Sequence, residues 1–159
     1  MEKNSTLPDA TDRAILQLLQ EDAFLTTKEI AAQTQLTTTP VFERIKRLER
    51  EGYIARYTAL LDRRKIGLTM LVFCDVLLKE HNREYLLRFE ESVVRLPEVL
   101  ECHHVTGEYD YLLKVAVHDM DDYQQFIKEK LAVLENIGRV QSHFVMTEVK
   151  NSTVLPVGE

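Results

Sequence analysis

The sequence predicts an α+β chain in which an N-terminal winged helix-turn-helix is followed by a C-terminal ferredoxin-like βαββαβ domain. Two observations support this fold class. Capping signals and apolar residues at helical spacing fill residues 9–52, and beyond Leu68 strand-like and helical stretches follow one another in the order βαββαβ. We therefore predict a helix-turn-helix over residues 1–53, a wing and linker strand over 54–67, and the βαββαβ domain over 68–159.

The N-terminal part begins with two short helices. Asp9 can cap the first, with Asp12 at its third position and apolar helical spacing through about Gln20. Thr26 and Glu29 form the capping-box pattern, in which each side chain bonds a free backbone N–H at a helix start. A second helix is therefore expected to begin directly after Thr26, and the two helices supply the core that a third helix needs.

The third helix is amphipathic and carries most of the positive charge. It opens at Thr37–Thr39, has Pro40 in its first turn, where a missing N–H costs little, and stops at Gly52. At about 100° per residue its apolar and polar residues separate onto opposite sides. The core stripe is Val41, Ile45 and Leu48, and the opposite side is Thr39, Glu43, Lys46, Arg47 and Arg50.

A short helix, a tight turn and a longer basic helix form the arrangement that places its second helix in the DNA major groove. The predicted DNA contacts are Thr38, Thr39, Glu43, Lys46, Arg47 and Arg50. A threonine at the helix N-terminus can bond a phosphate or a base edge, an arginine can specify guanine, and a lysine can position the helix on phosphate. Glu43 either accepts from a cytosine amino group or orients Arg47. The alternative is an ordinary surface helix whose charges only keep the protein dissolved.

The charge distribution favours DNA contact by the N-terminal part alone. The net charge is −6, yet residues 1–65 carry 11 Lys or Arg against 10 Asp or Glu, whereas residues 66–159 carry 9 against 16. Residues 44–65 hold eight basic residues and three acidic ones. Phosphate binding needs cations, so double-stranded DNA is the expected partner of this stretch, and the acidic second half would repel it.

The segment after Gly52 is expected to be extended. Tyr53–Leu61 is rich in residues that favour β-structure, and a charged run follows it. Arg56 and the cluster Arg63–Lys65 can reach the DNA backbone, although a solvated linker is the simpler interpretation.

The C-terminal part contains four strands and two helices. Strands are predicted over Thr69–Leu78, Val99–Thr106, Tyr109–Val117 and Val140–Val149, and helices over Arg83–Leu96 and Asp121–Leu134. Gly107 and Glu108 would form the turn of a hairpin between the middle strands, with glycine where a positive φ is allowed.

The first strand of this part is apolar on both faces. One alternating set is Met70, Val72, Cys74, Val76 and Leu78, and the other is Leu71, Phe73 and Leu77 around Asp75. Two helices cover only one face of a four-stranded sheet, so we expect a second copy of the chain to cover the other. A homodimer also suits DNA reading, because two reading helices about one helical turn apart match a pseudo-palindromic site.

Several classes of protein are disfavoured. The sequence has no long apolar run and no apolar signal-peptide core near Met1, so we expect a cytoplasmic protein without membrane association. It has no glycine-rich phosphate loop, nucleophile elbow or zincin helix, so we do not expect an enzyme or a bound cofactor. Cys74 and Cys102 are expected to be reduced and buried.

A metal-sensing role is the weaker alternative. Cys102 and His104 alternate on one strand face, His103 takes the other, and His143 lies on the last strand. Two alternating ligands do not make a metal site, and we predict none. A second alternative is a ligand-binding metabolic module whose helix-turn-helix serves assembly; steep salt dependence of DNA affinity would argue against it.

Three ordered blocks of the sequence are distinctive. They are Leu36–Ile54 (LTTTPVFERIKRLEREGYI) followed by Tyr57–Leu61 (YTALL), Glu101–Lys114 (ECHHVTGEYDYLLK) and Val145–Lys150 (VMTEVK). Together they resemble the Lrp/AsnC family of feast/famine regulators. The resemblance covers nearly the whole chain. It implies a winged helix-turn-helix, a ligand-sensing (RAM-type) βαββαβ domain, dimers that often assemble into octamers, and transcription tuned by amino acids.

The resemblance also implies a site for a small effector between dimers, formed by the Gly-x-Tyr/Phe-Asp loop and by hydroxyls on the last strand. The matching residues here are Thr106, Gly107, Glu108, Tyr109, Asp110 and Ser142. Glu108 and Asp110 would hold an effector ammonium and the loop N–H groups its carboxylate, unless the loop is simply a hairpin turn. Val140 stands where a threonine is usual, so leucine is not implied as the effector. Effector binding would change how dimers associate and so the spacing of the reading helices.

Overall fold

The computed structural model describes residues 7–157, which form two units, residues 7–60 with 150–157 and residues 61–149. Residues 1–6 and 158–159 of the predicted domains lie outside this range. The division differs from the predicted one at the C-terminus, since the tail joins the N-terminal unit. Gln20 explains this difference, because its side chain donates to the Leu155 carbonyl at 3.1 Å and accepts from the Leu155 N–H at 2.7 Å.

The N-terminal unit contains three helices, α1 (Ala10–Glu21), α2 (Thr27–Thr34) and α3 (Thr38–Arg50). Both predicted capping boxes are present, with Asp9 and Asp12 bonding each other's N–H and Thr26 and Glu29 doing the same. Gly52 has a φ of 83° directly beyond α3, as expected for a left-handed stop. The buried apolar side chains of this unit are Ile15, Ile30, Ala31, Val41 and Leu48.

A buried carboxylate joins α1 to α3. Asp12 is 1% exposed, and its oxygens accept from Arg44 at 2.8 Å, from the Asp9 N–H at 3.1 Å and from Arg47. Arg44 also bonds Asp9 at 2.6 Å, and the Asp12 N–H together with Arg44 holds the pKa of Asp9 below its ordinary value. Because two arginines of α3 converge on one point of α1, this ion cluster fixes how α3 is rotated about its axis.

The predicted wing strand is not formed. Within the described chain no β-strand lies between Arg50 and Met70, and residues 55–62 are irregular. A lone extended segment has no neighbour to receive its backbone hydrogen bonds, so β-forming residues alone do not make it a strand. Tyr57 nevertheless holds the segment near α3, since its hydroxyl donates to Glu49 at 3.1 Å.

The C-terminal unit has the predicted βαββαβ order. Its elements are β1 (Met70–Leu78), α4 (Arg83–Val93), β2 (Val99–His104), β3 (Tyr111–Val117), α5 (Met120–Gln125) and β4 (Ile137–Phe144). A π-helical stretch, Phe126–Leu131, continues α5. The strands pair antiparallel in the order β2-β3-β1-β4.

Two element ends differ from the sequence prediction. Helix α4 stops at Val93, short of the predicted Leu96, because Pro97 has no N–H for the Val93 carbonyl and its ring would clash with that carbonyl in a continued helix. Strand β4 covers Ile137–Phe144 and not Val140–Val149, because its length is set by its partner β1. A side chain at Gly138 would place a Cβ 3.1 Å from the Leu77 carbonyl oxygen, so glycine permits the irregular start of β4.

The sheet has one face covered by its own helices. Val72, Cys74, Val76 and Leu78 point into the core formed with α4 and α5, which shows which of the two predicted apolar faces the helices cover. The alternate residues of β1 therefore point to the opposite face, which we call the outer face. Of the predicted second set, Phe73, Asp75 and Leu77 are half-buried, whereas Leu71 is buried.

No helix between residues 7 and 157 combines the length and apolar character that crossing a membrane requires.

The Asp12 cluster yields a stability prediction. Asp12→Asn removes the buried charge, leaves Arg47 without its counter-ion and leaves Arg44 with Asp9 alone. This should cost about 2–3 kcal/mol, less than for fully buried pairs because both arginines reach water. Amides of α3 should then exchange hydrogen about 30- to 150-fold faster, measurable by mass spectrometry on the full chain. Glu21→Gln, the same change on an exposed carboxylate of α1, is the control. Equal exchange in the two variants would contradict a role for this cluster.

Candidate DNA-binding face and effector loop

The N-terminus of α3 is exposed and lacks a side-chain cap. Thr37 occupies the capping position without bonding an N–H of the first turn, and Thr38 and Thr39 are exposed. The free N–H groups and the positive end of the helix dipole make this end suitable for a phosphate oxygen. The threonine hydroxyls lie beside it and can donate to the same group.

The outward side of α3 continues from this end. Glu43, Lys46 and Arg50 are exposed, so the structure places five of the six predicted DNA contacts on one accessible side of the helix. We call Thr38, Thr39, Glu43, Lys46 and Arg50 the reading face. Lys46 bonds Glu49 at 2.8 Å.

Arg47 does not belong to the reading face, which corrects the prediction. Its guanidinium bonds Asp12, and its Nε is buried with no acceptor among the described residues. The helical projection placed Arg47 among outward residues, but it lies on the flank that meets α1, where a buried carboxylate requires cations. Glu43 therefore does not orient Arg47 as one interpretation expected.

Phe42 was missed by the sequence analysis. Its side chain is 53% exposed, and the Lys46 ammonium lies 5.8 Å from its ring centroid. The predicted contacts are cations, hydroxyls and one carboxylate on the polar side, whereas Phe42 is an apolar residue beside the core stripe. Phe42 lies about 100° around the helix from the core residue Val41, and this spacing could have indicated that its ring lies outside the core.

The cationic linker is partly structural. Arg63 bonds the Leu68 and Thr69 carbonyls at 2.9 Å each and pairs with Glu148 at 2.9 Å. Its guanidinium is therefore bonded inside the C-terminal unit, and Arg63 is not the solvated linker residue that the simpler interpretation expected.

The predicted effector loop is longer than a hairpin turn. Strand β2 ends at His104 and β3 begins at Tyr111, so residues 105–110 form a loop that the Val105 N–H and the Asp110 carbonyl close at 2.8 Å. Thr106 and Gly107 are exposed, and Gly107 has a φ of 125°. The Asp110 N–H donates to the Val76 carbonyl at 3.0 Å, which draws the loop toward β1 and out of the β2–β3 ladder.

Asp110 anchors this loop. Its Oδ2 accepts from the Leu78 N–H at 2.8 Å and lies 3.1 Å from His81 Nε2, and its side chain is only 16% exposed. Glu108 is 72% exposed and pairs with Arg139 at 3.2 Å. Glu108 is therefore the accessible carboxylate of the loop, whereas Asp110 holds the loop on the end of β1.

Strand β4 contributes two residues that the sequence analysis missed. The Tyr109 hydroxyl donates to Gln141 Oε1 at 2.5 Å, and the Arg139 guanidinium lies 5.6 Å from the Tyr109 ring centroid. Glu108, Tyr109, Arg139 and Gln141 thus form one cluster, which we call the loop cluster. It offers a carboxylate and a guanidinium side by side, the two groups that complement a zwitterion.

Ser142 is not part of the loop cluster. The Tyr123 hydroxyl donates to Ser142 Oγ at 2.5 Å and lies 3.2 Å from Cys74 Sγ, on the face that the helices cover. Neighbouring residues of a strand point to opposite faces, so Ser142 and Gln141 cannot serve the same site. Burial raises the pKa of both Tyr123 and the Cys74 thiol, so these groups stay protonated at neutral pH.

The Cys and His residues do not gather into a metal site. His104 stacks on Tyr111 at 4.7 Å, and His103 pairs with Glu101 at 3.2 Å. His143 pairs separately with Asp75 at 2.9 Å. Among residues 7–157 no three His, Cys, Asp or Glu side chains lie close enough to share a metal ion.

A cavity of about 330 Å³ lies elsewhere in the C-terminal unit, where Glu98, Phe126 and Lys130 help to line it. The loop residues and Ser142 do not contribute to its walls. The Arg139 and Glu108 side chains are 57% and 72% exposed, so the loop cluster is open to solvent on this chain.

Comparisons with known proteins agree with this architecture. Residues 71–155 match the family model of the Lrp/AsnC ligand binding domain, and residues 8–55 match that of a winged helix-turn-helix DNA-binding domain. The DNA-binding transcriptional activator DecR of Escherichia coli K12 is 40% identical over 149 residues, covering 94% of this chain and 98% of DecR. The leucine-responsive regulatory protein of Klebsiella pneumoniae is 38% identical, with coverages of 94% and 91%.

Solved structures are similar over the same length. An AsnC family transcriptional regulator from Agrobacterium tumefaciens is 41% identical with a TM-score of 0.90, covering 94% of this chain and 97% of that one. A transcriptional regulator from Neisseria meningitidis in complex with L-Met is 36% identical, also with a TM-score of 0.90, and the coverages are 94% and 96%. The chain therefore belongs to the Lrp/AsnC family of DNA-binding transcriptional regulators, with an N-terminal winged helix-turn-helix and a C-terminal ligand-binding domain.

Proposed function

We propose that this regulator reads double-stranded DNA by placing the reading face of α3 in the major groove. The observation that carries the proposal is that five polar or charged residues lie exposed on one side of a helix whose rotation Asp12 fixes. Thr38 and Thr39 would bond a phosphate or base edge, Lys46 a phosphate, and Arg50 a guanine or phosphate. Glu43 can accept from a cytosine amino group, and Arg47 positions the helix.

This proposal predicts a defined salt dependence. Lys46→Ala should weaken binding about equally for all sequences and reduce the slope of log K against log salt by about 1, because one phosphate contact is lost. If Arg50 contacts a phosphate, Arg50→Ala should give the same change. If Arg50 contacts a guanine, Arg50→Ala should reduce the affinity ratio between guanine and the other bases at one position by about 5- to 150-fold. Fluorescence anisotropy with a selected duplex measures both quantities.

Lys128→Ala is the control, since it removes one exposed cation from the acidic C-terminal unit. A salt slope near zero for the wild type, or an equal effect of Lys128→Ala, would contradict reading by α3.

We propose further that a second copy covers the outer face of the sheet. Phe73 and Leu77 on β1 and Leu112 on β3 are half-buried on this face, whereas α4 and α5 cover the other. An antiparallel sheet with apolar residues on both faces is stable when both are covered. A dimer would present two reading faces to one site, and the family resemblance implies that dimers assemble further into octamers.

We also propose that an amino acid is the effector and binds at the loop cluster between dimers. Glu108 would pair with its ammonium, while Arg139 and the N–H groups around Gly107 would bond its carboxylate. The Neisseria regulator in its L-Met complex, similar over 94% of this chain, supports an amino acid as the ligand class. Because β4 is an edge strand of the sheet, the part of the cluster that the second copy leaves open would be completed by a neighbouring dimer. Binding would then change the spacing of the reading faces.

The effector proposal predicts loss of response on substitution of Glu108. Wild-type protein should change its sedimentation or its DNA affinity with at least one member of a panel of amino acids. Glu108→Gln, which leaves an amide opposite the ammonium, should need about 10-fold or more of that amino acid for the same response. Glu129→Gln, an exposed carboxylate change on the π-helical stretch, is the matched control. If no amino acid alters the wild type, this proposal is wrong and DNA reading by α3 still stands.

Asp110 has a separate, structural prediction. Asp110→Ala leaves the Leu78 N–H without its acceptor, which should cost about 1–3 kcal/mol locally. The Leu78 amide should therefore exchange hydrogen about 5- to 150-fold faster by NMR. His81→Ala removes only the exposed partner of Asp110. Because an exposed pair contributes little to stability, this variant should change the exchange rate less than about 3-fold. Similar exchange rates of the Leu78 amide in the wild type and in Asp110→Ala would show that Asp110 does not anchor the loop.

A further inference from the structure

We propose that Phe42 is a specificity-determining residue that reads thymine through its 5-methyl group. This inference rests on the proposed reading of DNA by α3 and adds a base-selective contact that charge and hydrogen bonding do not supply.

The position of Phe42 leads to this assignment. It is the fifth residue of α3, so Thr38 at i−4 and Lys46 at i+4 are its neighbours along the helix surface. The side chain is 53% exposed although the core of the N-terminal unit lies directly beside it. A large apolar ring is therefore held at the edge of the reading face, where α3 would meet base edges.

The chemistry of the major groove selects one ligand for such a ring. Guanine, adenine and cytosine present hydrogen-bond donors or acceptors at their major-groove edges, and thymine adds a methyl group. A phenyl ring packed against a base donor or acceptor shields that polar group from water and offers no hydrogen bond in return. Burying a polar group in this way costs free energy. Against the methyl, both partners bury apolar surface, so Phe42 favours thymine over the other bases.

Lys46 contacts the ring of Phe42. Its ammonium lies 5.8 Å from the ring centroid, within the range of a cation–π contact, and is itself bonded to Glu49 at 2.8 Å. Glu49 also accepts from the Tyr57 hydroxyl at 3.1 Å. This chain of contacts places a cation beside the ring, so a phosphate bound by Lys46 and a methyl touched by Phe42 would belong to adjacent parts of one duplex site.

The test removes the methyl and the ring independently. Full-length wild-type protein first selects its preferred duplex from a random pool, and each thymine of that duplex is then replaced in turn by deoxyuridine, which lacks only the 5-methyl group. At one thymine of each half-site, we expect this replacement to weaken wild-type binding about 3- to 10-fold, the scale of one buried methyl.

The same duplexes are then bound by three variants. Phe42→Ser should be insensitive to deoxyuridine at that thymine, whereas Phe42→Leu, which keeps an apolar side chain, should retain part of the penalty. Phe24→Ser is the matched control, because Phe24 is 93% exposed in the turn between α1 and α2, outside the reading face, and should keep the full penalty.

The possible outcomes distinguish thymine reading by Phe42 from the proposed reading of DNA by α3. A full deoxyuridine penalty in Phe42→Ser, or no penalty at any thymine in the wild type, would overturn thymine reading by Phe42 while leaving DNA reading intact. A wild type that selects no sequence from the pool would overturn both. Circular dichroism of Phe42→Ser should match the wild type, since the substituted side chain is at the surface.

Discussion

One buried carboxylate determines what the N-terminal unit can present to DNA. Asp12 is almost fully removed from water, and a charge in that position is stable only when cations and hydrogen bonds surround it. Arg44 and Arg47 meet this requirement from α3. Because both arginines must reach the same point on α1, α3 has one rotation about its axis, and that rotation leaves Lys46 and Arg50 outward. The reading face is thus a consequence of an internal ion cluster.

The C-terminal unit uses a carboxylate in the same way. Asp110 bonds the Leu78 N–H at the end of β1 and so holds residues 105–110 against the sheet. The loop can then present Glu108 and Tyr109 to Arg139 and Gln141 on β4. In each unit one residue predicted to contact a ligand, Arg47 or Asp110, is bonded within the protein instead. The exposed charged groups belong to neighbouring residues.

These anchors show what sequence reasoning can and cannot provide. Helix caps, the βαββαβ order and the two apolar faces of β1 are local patterns, and the structure agrees with them. The role of Arg47 depends on a partner 35 residues away, which helical spacing alone does not reveal. Ser142 lies apart from the loop cluster for a related reason, since one residue along β4 separates the outer face from the core. The wing strand failed because strand formation requires a neighbour as well as suitable residues.

The small number of cations on the reading face bears on how regulation would work. Lys46 and Arg50 are the two cations of the reading face and the C-terminal unit is acidic, so this face alone would neutralise few phosphates and bind weakly at physiological salt. Two reading faces held in a dimer convert the second contact into an intramolecular event and multiply the affinity. DNA occupancy would then depend strongly on how copies are arranged. An effector that binds between dimers needs only a modest preference for one arrangement to change occupancy, because that preference acts on every reading face at once.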